Sequence, residues 1–124
     1  MRGIPGSGKS GLAELLAGAR KAIASADHYF DMKGKFAPAE LGIAHKFCQD
    51  QFMKFIATGE PMIVVDNTNI KRRDFEFYTT TAKDNGYAVV TVIAEEMDPK
   101  VCFARNQHAV PLATIERMAA TFER

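Results

Sequence analysis

The chain has 124 residues, 47% hydrophobic and 25% charged, with a formal net charge of +1. This describes one globular domain, able to bury roughly two thirds of the surface its unfolded chain exposes. No apolar run approaches the roughly 18 residues of a membrane span. With so little net charge, any nucleic-acid contact must come from a local basic patch.

The first element is Gly3-Ile4-Pro5-Gly6-Ser7-Gly8-Lys9-Ser10, followed by Gly11. It matches the phosphate-binding loop pattern G-x-x-x-x-G-K-S. Its glycines let successive backbone N–H groups turn inward around phosphate oxygens, and the helix that follows adds its unpaired N-terminal donors. Gly3, Pro5, Gly6, Ser7, Gly8, Lys9, Ser10 and Gly11 are therefore expected to hold a nucleotide. In this pattern the lysine reaches the β and γ phosphates and the hydroxyl of Ser10 holds Mg²⁺. Leu12, Leu15 and Leu16 recur at helical spacing up to Gly18, which predicts the loop helix.

Lys21 to Ser25 reads as a short strand ending near Asp27, and Asp31 to Pro38 has the composition of a loop. Ala39 to Thr58 is predicted as an amphipathic helix closed by Gly59. Met62 to Val65 is an unbroken apolar run of the kind covered on both faces, and it ends at Asp66. A helix is predicted over Arg72 to Asp84, stopped by Asn85-Gly86. A second buried strand is predicted over Tyr87 to Ala94, a helix over Asp98 to Asn106, and a last helix opened by Pro111. In that last helix Leu112, Ile115, Met118 and Phe122 share one face.

Alternating strands and helices imply a single α/β domain over residues 1–124, with a mostly parallel sheet and helices on both faces. A phosphate-binding loop ordinarily leaves the end of a buried strand, yet only Met1 and Arg2 precede Gly3. The central strand position is therefore expected to be open, or filled by upstream residues, another segment or a subunit.

Among the polar residues, Asp66 at a strand end suits a carboxylate supporting Mg²⁺, or alternatively a turn cap. Asn67, Thr68 and Asn69 read equally as turn residues or as groups that grip phosphate or an acceptor. Asp27 is the candidate base for an acceptor hydroxyl; the alternative is a helix cap. Arg105, between two predicted helices, is either a lid arginine over the transferring phosphate or a helix-end arginine. Lys71, Arg72 and Arg73 form a small basic cluster that is either a solvated face or a receiver of a phosphate backbone. His45 and Cys48, three apart on a helix, make only a weak metal pair. Cys48 and Cys102 have no disulfide or zinc spacing and read as reduced thiols of a cytoplasmic protein.

Taken together, the segments RGIPGSGKS, SADHYF, AHKFC, VVDNTN and ARNQHAVPLATIERM resemble the P-loop kinases and ATPases related to the kinase domain of bacteriophage polynucleotide kinase, including AAA-type ATP-binding proteins with a DNTN motif. The resemblance spans nearly the whole chain. It implies a three-layer, kinase-like P-loop NTPase fold that uses ATP and Mg²⁺. By it, Lys9 and Ser10 bind phosphates and metal, Asp27 is the general base, Arg105 is the lid arginine, and Asp66 or Asn67 faces the phosphates or acceptor. The expected reaction is phosphorylation of a polynucleotide 5′-hydroxyl, with DNA or RNA ends as partners. The alternatives are a small-molecule or mononucleotide kinase, and a nucleotide-binding switch or ATPase module with no kinase activity.

Overall fold

The computed structural model describes residues 1–124 and places them in an α/β P-loop fold. Six α-helices and two short strands follow in the order α1 (Lys9–Ala17), β1 (Ile23–Ala24), α2 (Asp27–Lys33), α3 (Leu41–Thr58), β2 (Val64–Val65), α4 (Arg72–Asp84), α5 (Pro99–Arg105) and α6 (Leu112–Thr121). Strands β1 and β2 pair in parallel, with Ile23 opposite Val64 and Ala24 opposite Val65. A parallel pair needs a crossover, and α2 and α3 supply it.

Local chemistry accounts for the helix ends. Gly34 and Gly59 close α2 and α3 in the left-handed conformation, at φ 77° and 70°, a region a residue with a Cβ enters only at a cost. Pro99 opens α5, and Asp98 caps it by accepting from the amide of Lys100. Residues Asp31 to Lys33 are helical where loop composition suggested otherwise. The reason is tertiary: Phe30 is buried in the main core cluster with Ala44, Cys48, Phe52 and Tyr78, and this anchors α2 against α3.

A second core cluster joins the loop to the C-terminal half. Ile4, Ile70, Cys102 and Ile115 are buried together, with Met118 and Phe122 packed against them. The predicted apolar face of α6 is thus the face that holds the phosphate-binding loop in place. Arg2 is buried as well, its guanidinium between the rings of Phe75 and Phe122 at 4.6 and 4.5 Å from their centroids. It donates to the carbonyls of Asn69, Ile70 and Glu123. A buried charge persists only where its donors are met and its faces are stacked, so Arg2 ties the entry to the loop, the turn after β2 and the C-terminal residues to one point.

The sheet is smaller than the sequence predicts. Beyond β2 the next position is held by Met1 and Arg2. The Met1 nitrogen donates to Val65 O at 2.8 Å, and Arg2 bridges Ile93 through Arg2 N to Val92 O and Ala94 N to Arg2 O. Further along that position lies a cavity of about 410 Å³, between Met62–Val65 on one side and Tyr87–Val92 on the other. Residues Tyr87 to Thr91 therefore form no ladder, and Val90 is 81% exposed instead of buried. Likewise the apolar run before Asp66 pairs only at Val64 and Val65, and Met62 is exposed. Without a neighbour, a strand has no partner for its N–H and C=O groups.

The groove is apolar: 16 of its 21 lining residues are hydrophobic. Joining a four- or five-residue Val/Ile-rich segment ahead of Met1 is expected to raise the melting temperature by at least about 5 °C, because each buried branched side chain contributes about 1.5–3 kcal/mol before ordering costs. A Gly/Ser segment of equal length should leave it unchanged. Thermal denaturation of the three proteins checks this, and equal melting temperatures would show that the groove does not accept a strand.

Candidate functional site: a phosphate cradle and an adjacent carboxylate

The loop conformation follows from its glycines. Gly6 and Gly8 adopt φ 82° and 89°. The amide of Ser7 turns back onto Ile4 O at 3.1 Å, and α1 begins at Lys9. The amides of Gly6, Gly8, Lys9, Ser10 and Gly11 donate to no protein acceptor. That leaves a ring of donors at a helix N-terminus, the arrangement that suits phosphate oxygens. Lys9 is nearly buried, and its ammonium meets no protein partner. Ser10 and Gly11 are exposed at the start of the helix.

Two polar side-chain atoms in the molecule are fully buried without a hydrogen-bond partner: Ser7 Oγ and Asp66 Oδ1. Such atoms are rare because each forfeits its hydration. Both belong to the predicted nucleotide and metal set. Burial pushes the Met1 amine below its ordinary value; Asp66 opposes that shift and Lys9 adds to it, so the carboxylate and the ammonium act on a common point. A phosphate and a divalent cation match this donor set: free amides and a lysine for the anion, and the oxygens of Ser10 and Asp66 for Mg²⁺.

The amides of the turn after β2 find partners within the protein. Asn67 Oδ1 accepts from the amide of Ala26 at 2.9 Å, and its Nδ2 donates to Cys48 Sγ at 3.3 Å. Tyr78 OH donates to the same sulfur at 3.2 Å. Asn69, at φ 47°, donates to Met1 O at 2.9 Å. Both asparagines are buried, and these bonds brace the turn. Thr68 gives its carbonyl to Gly3 N at 3.0 Å and is partly exposed. Burial raises the Cys48 thiol, against the hydrogen bonds from Tyr78 and Asn67, and burial also raises Cys102. Both cysteines are free and stay protonated at neutral pH.

Asp27 is the first residue of α2, and its side chain caps nothing. The segment before it is held rigidly, through Asn67 at Ala26 and through Ser25 Oγ, which accepts from the Asp27 amide at 3.2 Å. Its carboxylate is 40% exposed, and its one polar partner is His108 Nε2 at 3.5 Å. His28, its neighbour in sequence, turns instead to Gln51. Arg105 lies exposed at the last turn of α5. The backbone of α5 abuts the loop closely: a Cβ on Gly6 would sit 1.9 Å from Cys102 O.

Arg72 and Arg73 are exposed at the start of α4. Arg72 is engaged with the C-terminal residues, its amide donating to Glu123 Oε2 and its guanidinium to Arg124 O. His45 is exposed while Cys48 is buried, and no three His, Cys, Asp or Glu side chains cluster as metal ligands.

A phosphate cradle beside a braced strand-end carboxylate points to a nucleotide-using domain, and a family model described as "AAA domain" matches residues 1–124. The chain belongs to this AAA domain family. It is a P-loop domain of nucleotide-binding type. The chain is also similar to human NEDD4-binding protein 2, at 31% identity over 131 aligned positions. That alignment covers 100% of this AAA domain and 7% of the relative, so the chain spans a small fraction of the curated protein it matches. No helix of the domain is long and apolar enough to cross a membrane.

Sequence reasoning missed Arg2 and His108. Arg2 carries no local signal, since its role depends on two rings distant in sequence. His108 stands three residues after Arg105, the candidate lid arginine, and a lone histidine has no spacing to mark it.

Proposed function

We propose that this domain is an ATP- and Mg²⁺-dependent phosphotransferase of the group related to the bacteriophage polynucleotide kinase domain, and that its acceptor is a polynucleotide 5′-hydroxyl on DNA or RNA. The observation that carries the kinase reading is Asp27. An ATPase has to orient only water, whereas a kinase needs a base within reach of an acceptor hydroxyl. Here a carboxylate that caps no helix, on a braced strand-to-helix turn, opens to solvent beside the segment that bears Arg105. The polynucleotide acceptor is supported by the ordered motifs SADHYF, VVDNTN and ARNQHAVP.

In this reading the loop amides and Lys9 hold and orient the phosphates of ATP, while Ser10 and Asp66 hold Mg²⁺, which when bound neutralises charge on the β and γ phosphate oxygens. Asp27 takes the proton of the acceptor hydroxyl as its oxygen bonds to the γ phosphorus. The bond from that phosphorus to the β–γ bridging oxygen breaks, and ADP leaves. Arg105 faces the charge spread over the transferring group. Positioning and electrostatics supply most of the catalysis.

A small-molecule acceptor is the second reading, favoured by Arg72 being committed to the C-terminal residues instead of to an open basic groove. Transfer of labelled γ phosphate to 5′-hydroxyl oligonucleotides, beside nucleosides and sugars, separates the two. Labelled oligonucleotide is expected, with at least a 100-fold lower rate for Asp27→Asn and ATP affinity unchanged, the usual scale for loss of a general base being about 10²–10⁴. Label on a nucleoside or sugar alone would overturn the polynucleotide acceptor. ATP binding with no transfer to anything would favour a binding module.

A further inference from the structure

The turn between α5 and α6 is built to present one side chain. Asn106 Oδ1 accepts from the amide of His108 at 3.1 Å, and Asn106 Nδ2 donates to Val110 O at 2.9 Å. Ala109 is held at φ 53°, a conformation that residues with a Cβ rarely keep unless their surroundings impose it. Of residues 106–111, only His108 makes a polar contact outside the turn and its flanking helices, with Nε2 3.5 Å from Asp27 Oδ2. The turn is fastened at its start to the nucleotide loop, because the α5 backbone at Cys102 rests on Gly6. It is fastened at its end through α6, where Ile115 packs with Ile4 and Cys102. The imidazole therefore reaches across from the phosphate-binding side of the domain to α2.

We propose that His108 is a positioning residue for Asp27. Its Nε2 engages Oδ2 and so turns Oδ1 toward an acceptor hydroxyl, and it makes the orientation of the base depend on closure of the Asn106–Val110 turn. This rests on the reading of Asp27 as the base. An imidazole N–H donor fits the role because it fixes one carboxylate oxygen while the other keeps its lone pairs for the incoming proton. Both side chains are about half exposed, so their replacement leaves the core intact.

The test uses His108→Ala, His108→Gln, Asp27→Asn and Asp27→Ala in the full chain. In steady-state phosphotransfer, His108→Ala is expected to lower kcat about tenfold while KM for ATP stays within about twofold. His108→Gln, which keeps an N–H donor at the same reach, should recover most of the loss. Adding His108→Ala to Asp27→Asn should cost no further turnover, because the base it positions is already gone. Hydrogen exchange at residues 106–110 in the nucleotide-free protein gives a readout independent of turnover: His108→Ala and Asp27→Ala should raise exchange to the same extent, and the double variant no further. Inactive Asp27→Asn beside fully active His108→Ala would sink the positioning role and leave the base standing. Wild-type turnover in Asp27→Asn would sink the base itself and the positioning role with it. Should no acceptor be phosphorylated, exchange decides: equal loosening in both variants supports the docked turn, and no change in either overturns it.

Discussion

Replacement of Gly6 by alanine will destabilise the domain by more than about 4 kcal/mol, the range reached only by severe core or backbone faults. Two effects act together. The residue sits at φ 82°, which costs an L-residue roughly 1–2 kcal/mol. The added Cβ would also lie 1.9 Å from Cys102 O and 2.7 Å from its carbonyl carbon. These are backbone atoms of a helix and cannot swing aside. Either α5 moves off the loop or the loop distorts, and each separates Ile4 from Cys102 and Ile115 in the second core cluster. Gly8 is the internal control. It has a similar φ of 89°, but nothing lies within 4 Å of its added Cβ, so Gly8→Ala should cost only the conformational term of roughly 1–2 kcal/mol. Urea denaturation of the three proteins checks this. Equal midpoints for Gly6→Ala and Gly8→Ala would show that contact with α5 does not constrain the loop.

Asp66→Asn is expected to separate stability from function. Asp66 Oδ1 is buried with no hydrogen-bond partner, so the nucleotide-free protein carries an uncompensated desolvation cost of about 1–3 kcal/mol. Neutralising the side chain should relieve part of it and raise the melting temperature by about 3–6 °C. The same change removes an oxygen donor of the proposed metal site. Phosphotransfer should then fall about 10³-fold. The added stabilisation by Mg-ATP, about 2.7 kcal/mol at a hundredfold excess over Kd for the wild type, should largely vanish. A lower melting temperature without nucleotide, or full stabilisation by Mg-ATP, would show that Asp66 is a structural carboxylate.

The apolar cavity of about 410 Å³ is not at the phosphate-binding loop. It lies in the sheet, where Met1 and Arg2 hold one end of a strand position between β2 and Tyr87–Val92. Its apolar lining matches strand side chains and offers no cluster of charged groups to a nucleotide. The loop itself is an open cradle of amides, and such a surface encloses little volume until phosphate is seated.

Much of this was legible in the chain because it depends on local chemistry. The loop pattern, the helix over Arg72–Asp84, the glycine stops at Gly18 and Gly59, and the apolar face of α6 all follow from spacing, capping and the steric freedom of glycine, which act within a few residues. Placement of Asp27 beside a strand end was legible for the same reason. What only the tertiary structure decided are matters of distant partners. Asn67 and Asn69 became braces because Ala26, Cys48 and Met1 lie within reach of their amides. Tyr87 to Thr91 lost strand pairing because a strand exists only where a neighbour supplies the other half of its hydrogen bonds. Arg2 was drawn into the core by two aromatic rings and three carbonyls from the middle and the far end of the chain. His108 acquired its partner 81 residues away only when α5 docked on the loop. Residue type and spacing set the chemistry available, and folding across long sequence separations selected which of those groups meet.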